Sequence, residues 1–225
     1  MKSHFIQAIR NLKDMLANLA ARVEHTVHLA VEAVINHQVD VAEQIISQDR
    51  EIDQEEVIIE EECLKILALY QPVAGDLRQV ITILKINNEI ERIADMAVNI
   101  AERVPGMAQF TESQVDKFDF SIMVVKACDM LKKALDAMTY HDVITATEVI
   151  RLDDAVDDIH QDNYGVAREQ ILRHPAQAGY YLDCLRVSHC LERIADIATN
   201  IAEDVIYLES GNIVRHSHEG NNHAR

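Results

Sequence analysis

The chain has 225 residues, with 38 Asp plus Glu against 21 Lys plus Arg and a formal net charge of −17. That balance argues against a protein that wraps nucleic acid, which needs a basic face for phosphates, and against docking on an anionic membrane surface. Hydrophobic residues reach 48% while aromatics stay at 4%, and six Gly, three Pro and no Trp leave little material for turns; this excludes a parallel sheet or a glycine-rich phosphate loop and points to an all-α chain of long helices.

At the start, Asn11, Lys13 and Asp14 interrupt any apolar run, so no signal peptide is read there. A first helix is expected over 5–36. The second, 40–70, opens on Asp40 with Glu43 three residues later, the spacing of a capping box. Pro72-Val-Ala-Gly75 breaks it, and Asp76 with Gln79 opens a third helix over 76–104. Pro105-Gly106 is the next break, followed by helices over 114–139, 142–173 and 177–209, with Pro175 before the last and Gly211 after it. Helices of about 30 residues are roughly 45 Å long, a length that packs side by side in bundles. No apolar run approaches the roughly 18 residues of a transmembrane helix, so no direct membrane insertion is expected. Cys63, Cys128, Cys184 and Cys190 form no CxxC pair and read as reduced thiols in the cytosol.

The second half repeats the first. Glu91-Arg-Ile-Ala-Asp-Met-Ala-Val-Asn-Ile-Ala-Glu102 matches Glu192-Arg-Ile-Ala-Asp-Ile-Ala-Thr-Asn-Ile-Ala-Glu203 at ten of twelve positions. Asp49-Arg-Glu-Ile-Asp53 answers more weakly to Asp153-Asp-Ala-Val-Asp157, and Asn36-His37 to Tyr140-His141. The expected organisation is two tandem, duplicated three-helix units, 1–106 and 107–212, with a loose His-rich tail over 213–225.

On a helical wheel Asp49, Asp53, Glu56 and Glu60 share a wedge of about 60°, continued by Ala42 and Ile45 before and Cys63 and Leu67 after. The fifth helix repeats this with Ala146, Val149, Asp153, Asp157, His160, Tyr164, Ala167 and Ile171. The third runs Leu77, Ile81, Leu84, Asn88, Glu91, Asp95, Asn99, Glu102, and the sixth Leu182, Leu185, His189, Glu192, Asp196, Asn200, Glu203. Carboxylates four residues apart lie about 6 Å apart along one face, a spacing that suits metal ions. A solvated acidic flank copied by the duplication explains the same pattern, and periodicity alone leaves both readings open.

At these residues the sequence resembles the PhoU family of bacterial phosphate-uptake regulators. The resemblance spans roughly 5–218 and rests on Glu60-Glu-Glu-Cys-Leu, Gln71-Pro-Val-Ala-Gly-Asp-Leu-Arg78, both Glu-Arg-Ile-Ala-Asp segments and Gly211-Asn-Ile-Val-Arg-His216. Ala94 and Ala195 stand where the family usually has Gly. The resemblance implies two three-helix bundles, each with a multinuclear metal site. The family's paired motifs fall on Asp49, Asp53, Glu91 and Asp95, and again on Asp153, Asp157, Glu192 and Asp196. Iron is the first expectation for the metal, with zinc, manganese and magnesium as alternatives; oxygen donors favour hard cations. Asn88, His189 and His160 are possible additional ligands, and Arg92 and Arg193 are expected to pair with carboxylates. His216, His218 and His223 in the tail are able to capture a stray metal.

If the chain acts like its relatives, it is a cytoplasmic, non-enzymatic negative regulator and a homodimer. It would link the ATPase subunit of the phosphate ABC transporter to the phosphate-sensing histidine kinase, without touching nucleic acid. The alternative is a carboxylate-bridged dinuclear metalloenzyme for phosphoester or oxygen chemistry, although the Glu-xx-His pairs of helical di-iron enzymes are missing from this sequence.

Overall fold

The computed structural model describes residues 2–110 and 118–211. Six long helices carry the fold: α1 (Lys2–Ile35), α2 (Val39–Tyr70), α3 (Ala74–Ala101), α5 (Ser121–Tyr140), α6 (Val143–Arg173) and α7 (Ala178–Ser210). A single turn, α4 (Val104–Met107), follows α3, and a 3₁₀ turn, Pro175–Gln177, precedes α7. No strand occurs among the described residues. The tail, including His216, His218 and His223, and the first residues expected in the 114–139 helix lie outside the described residues.

Helices α1, α2 and α3 pack together, as do α5, α6 and α7, and the two groups join along α3 and α7 with a smaller α1–α5 contact. On α1 the repeat Leu12, Leu16, Leu19, Val23, Val27 and Ala30 is almost wholly buried, a 3–4 spacing that makes one apolar stripe. Helices α2 and α6 likewise bury one stripe each, through residues such as Ile52 and Ile59 or Val149 and Val156. Helices α3 and α7 are flanked on both sides, so they bury more of their circumference, from Ile86, Ile90 and Ile93 to Leu191, Ile194 and Ile201. Ala94, Ala97 and Ala101 and their counterparts Ala195, Ala198 and Ala202 are all buried; side chains this small allow neighbouring helices to approach closely.

The two spines run antiparallel. Near the start of α3, Arg78 Nε donates to the Leu208 carbonyl (3.0 Å) and Lys85 Nζ reaches the buried Asp204 carboxylate (3.4 Å) close to the end of α7. At the opposite end Gly106 lies so near Asp183 that a Cβ there would stand 3.0 Å from Oδ2. An antiparallel crossing of two equivalent helices gives an approximate two-fold axis between the halves, which places their acidic stripes in equivalent settings.

The inter-helix turns are equivalent too. His37 (φ 52°) and His141 (φ 57°) both adopt the left-handed conformation that closes a helix. The expected capping boxes at Asp40 and Asp76 do not form: the caps of α2 and α3 are Gln38 and Val73, and neither makes a side-chain cap bond. Both acids lie inside the first turn, where a side chain no longer reaches the free N–H groups of the cap geometry. Asp142 caps α6, accepting from the backbone N–H of Ile144 (2.9 Å) and Thr145 (3.2 Å). The third helix also stops sooner than 104, at Ala101, and Pro105 sits in the first turn of α4 rather than in a loop, a position where its missing N–H costs nothing.

Candidate metal centres

The carboxylate stripes sit on the rims of two grooves, α2 against α3 and α6 against α7. The wheel correctly puts Asp49, Glu56, Glu91, Asp153, Glu192 and Asp196 partly inside, whereas Asp53, Glu60, Asp95 and Asp157 are exposed. The apolar ends are uneven. Ala42, Ile45 and Cys63 are buried on α2, but Leu77 and Leu182, which open the stripes on α3 and α7, and Tyr164 on α6 are exposed.

In the second half Asp153, Asp157 and Asp196 converge, each offering one oxygen within 4.8 Å of the others. Burial pushes the Asp153 carboxyl up to about 6, reinforced by the charges of Asp196 and Asp157 and opposed by a hydrogen bond from Thr199. Burial, then Asp196, also raises Asp157. Glu192 is raised by burial and next by Asp196, and Asp157 adds to it. These carboxylates repel one another without a cation between them.

In the first half Asp49, Asp53, Glu91 and Asp95 gather around the equivalent groove with wider spacing. Burial raises Asp49, with Asp53 and Asp95 adding repulsion. Burial raises Glu91 as well, ahead of Asp95, Asp53, Glu56 and Asp49, and Asp95 ahead of Asp53. Among the described residues, both tight groups of three donors lie in the second half.

One detail recurs in both halves. Asp49 Oδ1 and its counterpart Asp153 Oδ1 are buried atoms with no hydrogen-bond partner. A buried carboxylate oxygen without a donor loses its hydration uncompensated. An oxygen-seeking cation supplies the missing partner and cancels the repulsion, so the donor set fits a hard metal ion.

Sequence reasoning missed the layer beneath these residues. Buried Asn87 donates through Nδ2 to the Glu56 carbonyl (2.9 Å) and to Glu56 Oε1 (3.0 Å). At the equivalent place Ser188 Oγ lies 2.8 Å from His160 Nδ1 and accepts from Asn163 Nδ2 (2.9 Å). The available signal was phase: Asn87 and Ser188 are polar residues at core positions, one residue before Asn88 and His189. Asn88 is exposed, whereas His160 and His189 come together beside Glu192. Burial, then the neighbouring His189, lowers the His160 pKa.

The arginines behave as expected: Arg92 Nη1 pairs with Glu89 (2.7 Å) and Arg193 Nη1 with Asp196 (3.3 Å). Both border an open polar cleft of about 290 Å³, shared with Asp153, Asp196, Thr199 and Asn200. All four cysteines are free and buried, and burial raises their pKa values, Cys63 and Cys184 to about 12 and Cys128 and Cys190 to about 11. Thiols held that firmly protonated are poor nucleophiles and poor metal ligands.

A duplicated three-helix bundle with matched carboxylate clusters beside its paired spines defines a class of helical repeat bundles. The model of the PhoU domain matches this chain twice, at residues 16–104 and 120–205. A phosphate-specific transport system accessory protein PhoU homolog from Deinococcus radiodurans is 34% identical, over 90% of this chain and 95% of its own. One from Aquifex aeolicus is 35% identical, over 93% and 95%. The crystal structure of PhoU from Pseudomonas aeruginosa superposes with a TM-score of 0.88 at 33% identity, covering 92% of this chain and 100% of that one. A phosphate transport system regulatory protein PhoU from Streptococcus pneumoniae gives 0.82 at 30%, covering 93% and 99%. The chain belongs to the PhoU family.

Proposed function

We propose that this chain is a cytoplasmic, metal-dependent adaptor that restrains phosphate uptake and the phosphate regulon. The reading rests on membership of a family whose members are named as accessory and regulatory proteins of phosphate transport. The observation that carries its metal dependence is the matched pair of donorless carboxylate oxygens, Asp49 Oδ1 and Asp153 Oδ1. Asp49, Asp53, Glu91 and Asp95 would hold cations in the first half; Asp153, Asp157, Glu192 and Asp196 would hold them in the second. Iron is the leading choice for these oxygen donors, ahead of manganese, magnesium or zinc. The cation supplies positive charge. The chain's own part is to fix the groove in which α2 meets α3 and α6 meets α7, so that partners meet one rigid bundle shape.

The partners in this reading are the ATPase subunit of the phosphate transporter and the phosphate-sensing histidine kinase, with a second copy of the chain as a homodimer. No helix among the described residues is long and apolar enough to cross a membrane, so contact with a transporter would run through its cytoplasmic parts. With a charge of −17, control of gene expression would pass through the kinase and not through DNA. Deleting the gene should raise phosphate-regulated expression in phosphate-rich medium, and removing the kinase as well should abolish the rise. A rise that persists without the kinase, or specific binding of promoter DNA at physiological salt, would show the adaptor reading to be wrong.

A further inference from the structure

We propose that His160, His189 and Glu192 form a cation site of mixed nitrogen and oxygen donors beside the aspartates of the second half, suited to a borderline divalent ion such as Zn²⁺. The proposal goes beyond the carboxylate reading above; the two share Glu192 alone, and Asp153, Asp157 and Asp196 form a tight group without it. One donor atom from each residue lies within 4.8 Å of the other two, so small side-chain rotations bring all three to the roughly 2.0–2.2 Å of zinc–nitrogen and zinc–oxygen bonds around a single ion. The imidazole rings stand 5.8 Å apart at 33°. Two imidazoles and one carboxylate, with water in the fourth position, make a donor set that suits zinc better than the hard cations favoured by three carboxylates.

The hydrogen bonds beneath His160 decide which ring nitrogen faces the site. Ser188 is wholly buried, and its Oγ meets three neighbours: Asn163 Nδ2, His160 Nδ1 and Met123 Sδ at 3.3 Å. Asn163 Nδ2 only donates and the Met123 thioether only accepts. Ser188 accepts from Asn163 and engages His160 Nδ1 at 2.8 Å, which leaves Nε2 as the ring nitrogen available to an ion. An ion on Nε2 selects the tautomer in which Nδ1–H donates to Ser188 Oγ, the arrangement in which a buried acceptor orients a metal-binding histidine. Glu192 adds a buried oxygen, Oε2, whose polar neighbour is His189 Nδ1, 3.2 Å away. His189 is the outer member, its side chain 61% exposed, which leaves the site open to an incoming ion.

The first half lacks this chemistry. Its counterparts are Glu56, Asn88 and Glu91, all oxygen donors or an amide. Asn87 there braces the Glu56 carboxylate at 3.0 Å where Ser188 braces an imidazole. The duplication has kept a bracing residue in both halves and changed what is braced. The bland alternative is a helix-surface contact between His189 Nδ1 and Glu192, 3.2 Å apart, with His160 merely packed at its edge.

The test uses the full-length chain, stripped with chelator and titrated with Zn²⁺ alone. The His160→Ala/His189→Ala double variant should bind one Zn²⁺ fewer per chain, and imidazole scattering at the zinc absorption edge should fall. The tail histidines are the same in both chains and cancel. His189→Gln, at an exposed position that leaves the fold intact, should weaken the site at least tenfold, and a thermal melt checks the double variant. The Asp153→Asn/Asp157→Asn/Asp196→Asn variant should keep the imidazole signal. Equal Zn²⁺ stoichiometry and imidazole scattering in wild type and the double-histidine variant would overturn the proposal. So would loss of the imidazole signal in the triple-aspartate variant, which would mean one shared centre.

Discussion

Replacing Asp153 by Asn should stabilise the metal-free chain at neutral pH and destabilise the metal-loaded one. Burial and the charges of Asp196 and Asp157 push this carboxyl from 3.8 to about 6 in the folded chain. A carboxyl whose folded pKa lies above its unfolded value binds protons more tightly when folded. The fold is therefore unpenalised below about pH 4, loses stability as pH rises towards about 6, and carries the full penalty above that. A displacement of this size corresponds to at most ~3 kcal/mol. Because the side chain is only half-buried, solvent screening reduces this to about 1–2 kcal/mol. Asn removes the charge, and its amide is able to donate to Asp157 or Asp196. In a chain of this length that gain raises the Tm by about 2–8 °C. Urea unfolding of both chains in chelator, from pH 4 to pH 8, reads the difference directly. The two should coincide near pH 4 and separate above pH 6, and added metal should reverse their order. A variant that is less stable than wild type at pH 7 without metal, or a difference independent of pH, would refute the reasoning.

Three further outcomes follow from the fold and the grooves. Asp142→Ala removes both backbone hydrogen bonds that cap α6 and should cost about 1 kcal/mol in denaturant unfolding, with helix content retained. Ile90→Ala empties a fully buried position on the central spine α3 and should cost about 2–5 kcal/mol, measured as a lower urea midpoint at unchanged slope. Chelator should lower the Tm of protein purified with its metal, because an ion bound only by the folded state stabilises it by mass action; re-adding metal should restore it.

Much of the fold was legible because the chain punctuates itself. Pro72, Pro175 and Gly211 stand at real breaks, and the paired turns at His37 and His141 both prove left-handed. The repeat was legible because the two spine segments are nearly identical. Cap positions were not: an acidic residue three before Glu or Gln caps only if the backbone preceding it turns at that residue, and at Gln38 and Val73 it turns earlier. The stripes gathered the eight carboxylates along two helix pairs, with Asp53, Asp95 and Asp157 exposed, but a wheel describes one helix at a time. The tighter convergence of Asp153, Asp157 and Asp196 depends on how α6 and α7 align, which no single-helix pattern contains. Ser188 and Asn163 stayed hidden for a related reason: a lone polar residue in an apolar phase reads as a flaw in the pattern until its partner on another helix is known.

In the proposed function the eight carboxylates hold metal in two sets, one in each half of the chain. Elemental analysis of protein purified directly from cells tests it, comparing wild type with Asp95→Ala, Asp196→Ala and the double variant at equal helix content. Each single variant should lose the carboxylate-bound metal of its own half, and the double variant should lose that of both halves, keeping at most the ion held by His160 and His189. Metal content in the double variant equal to that of wild type would contradict the claim and leave the stripes as solvated acidic faces.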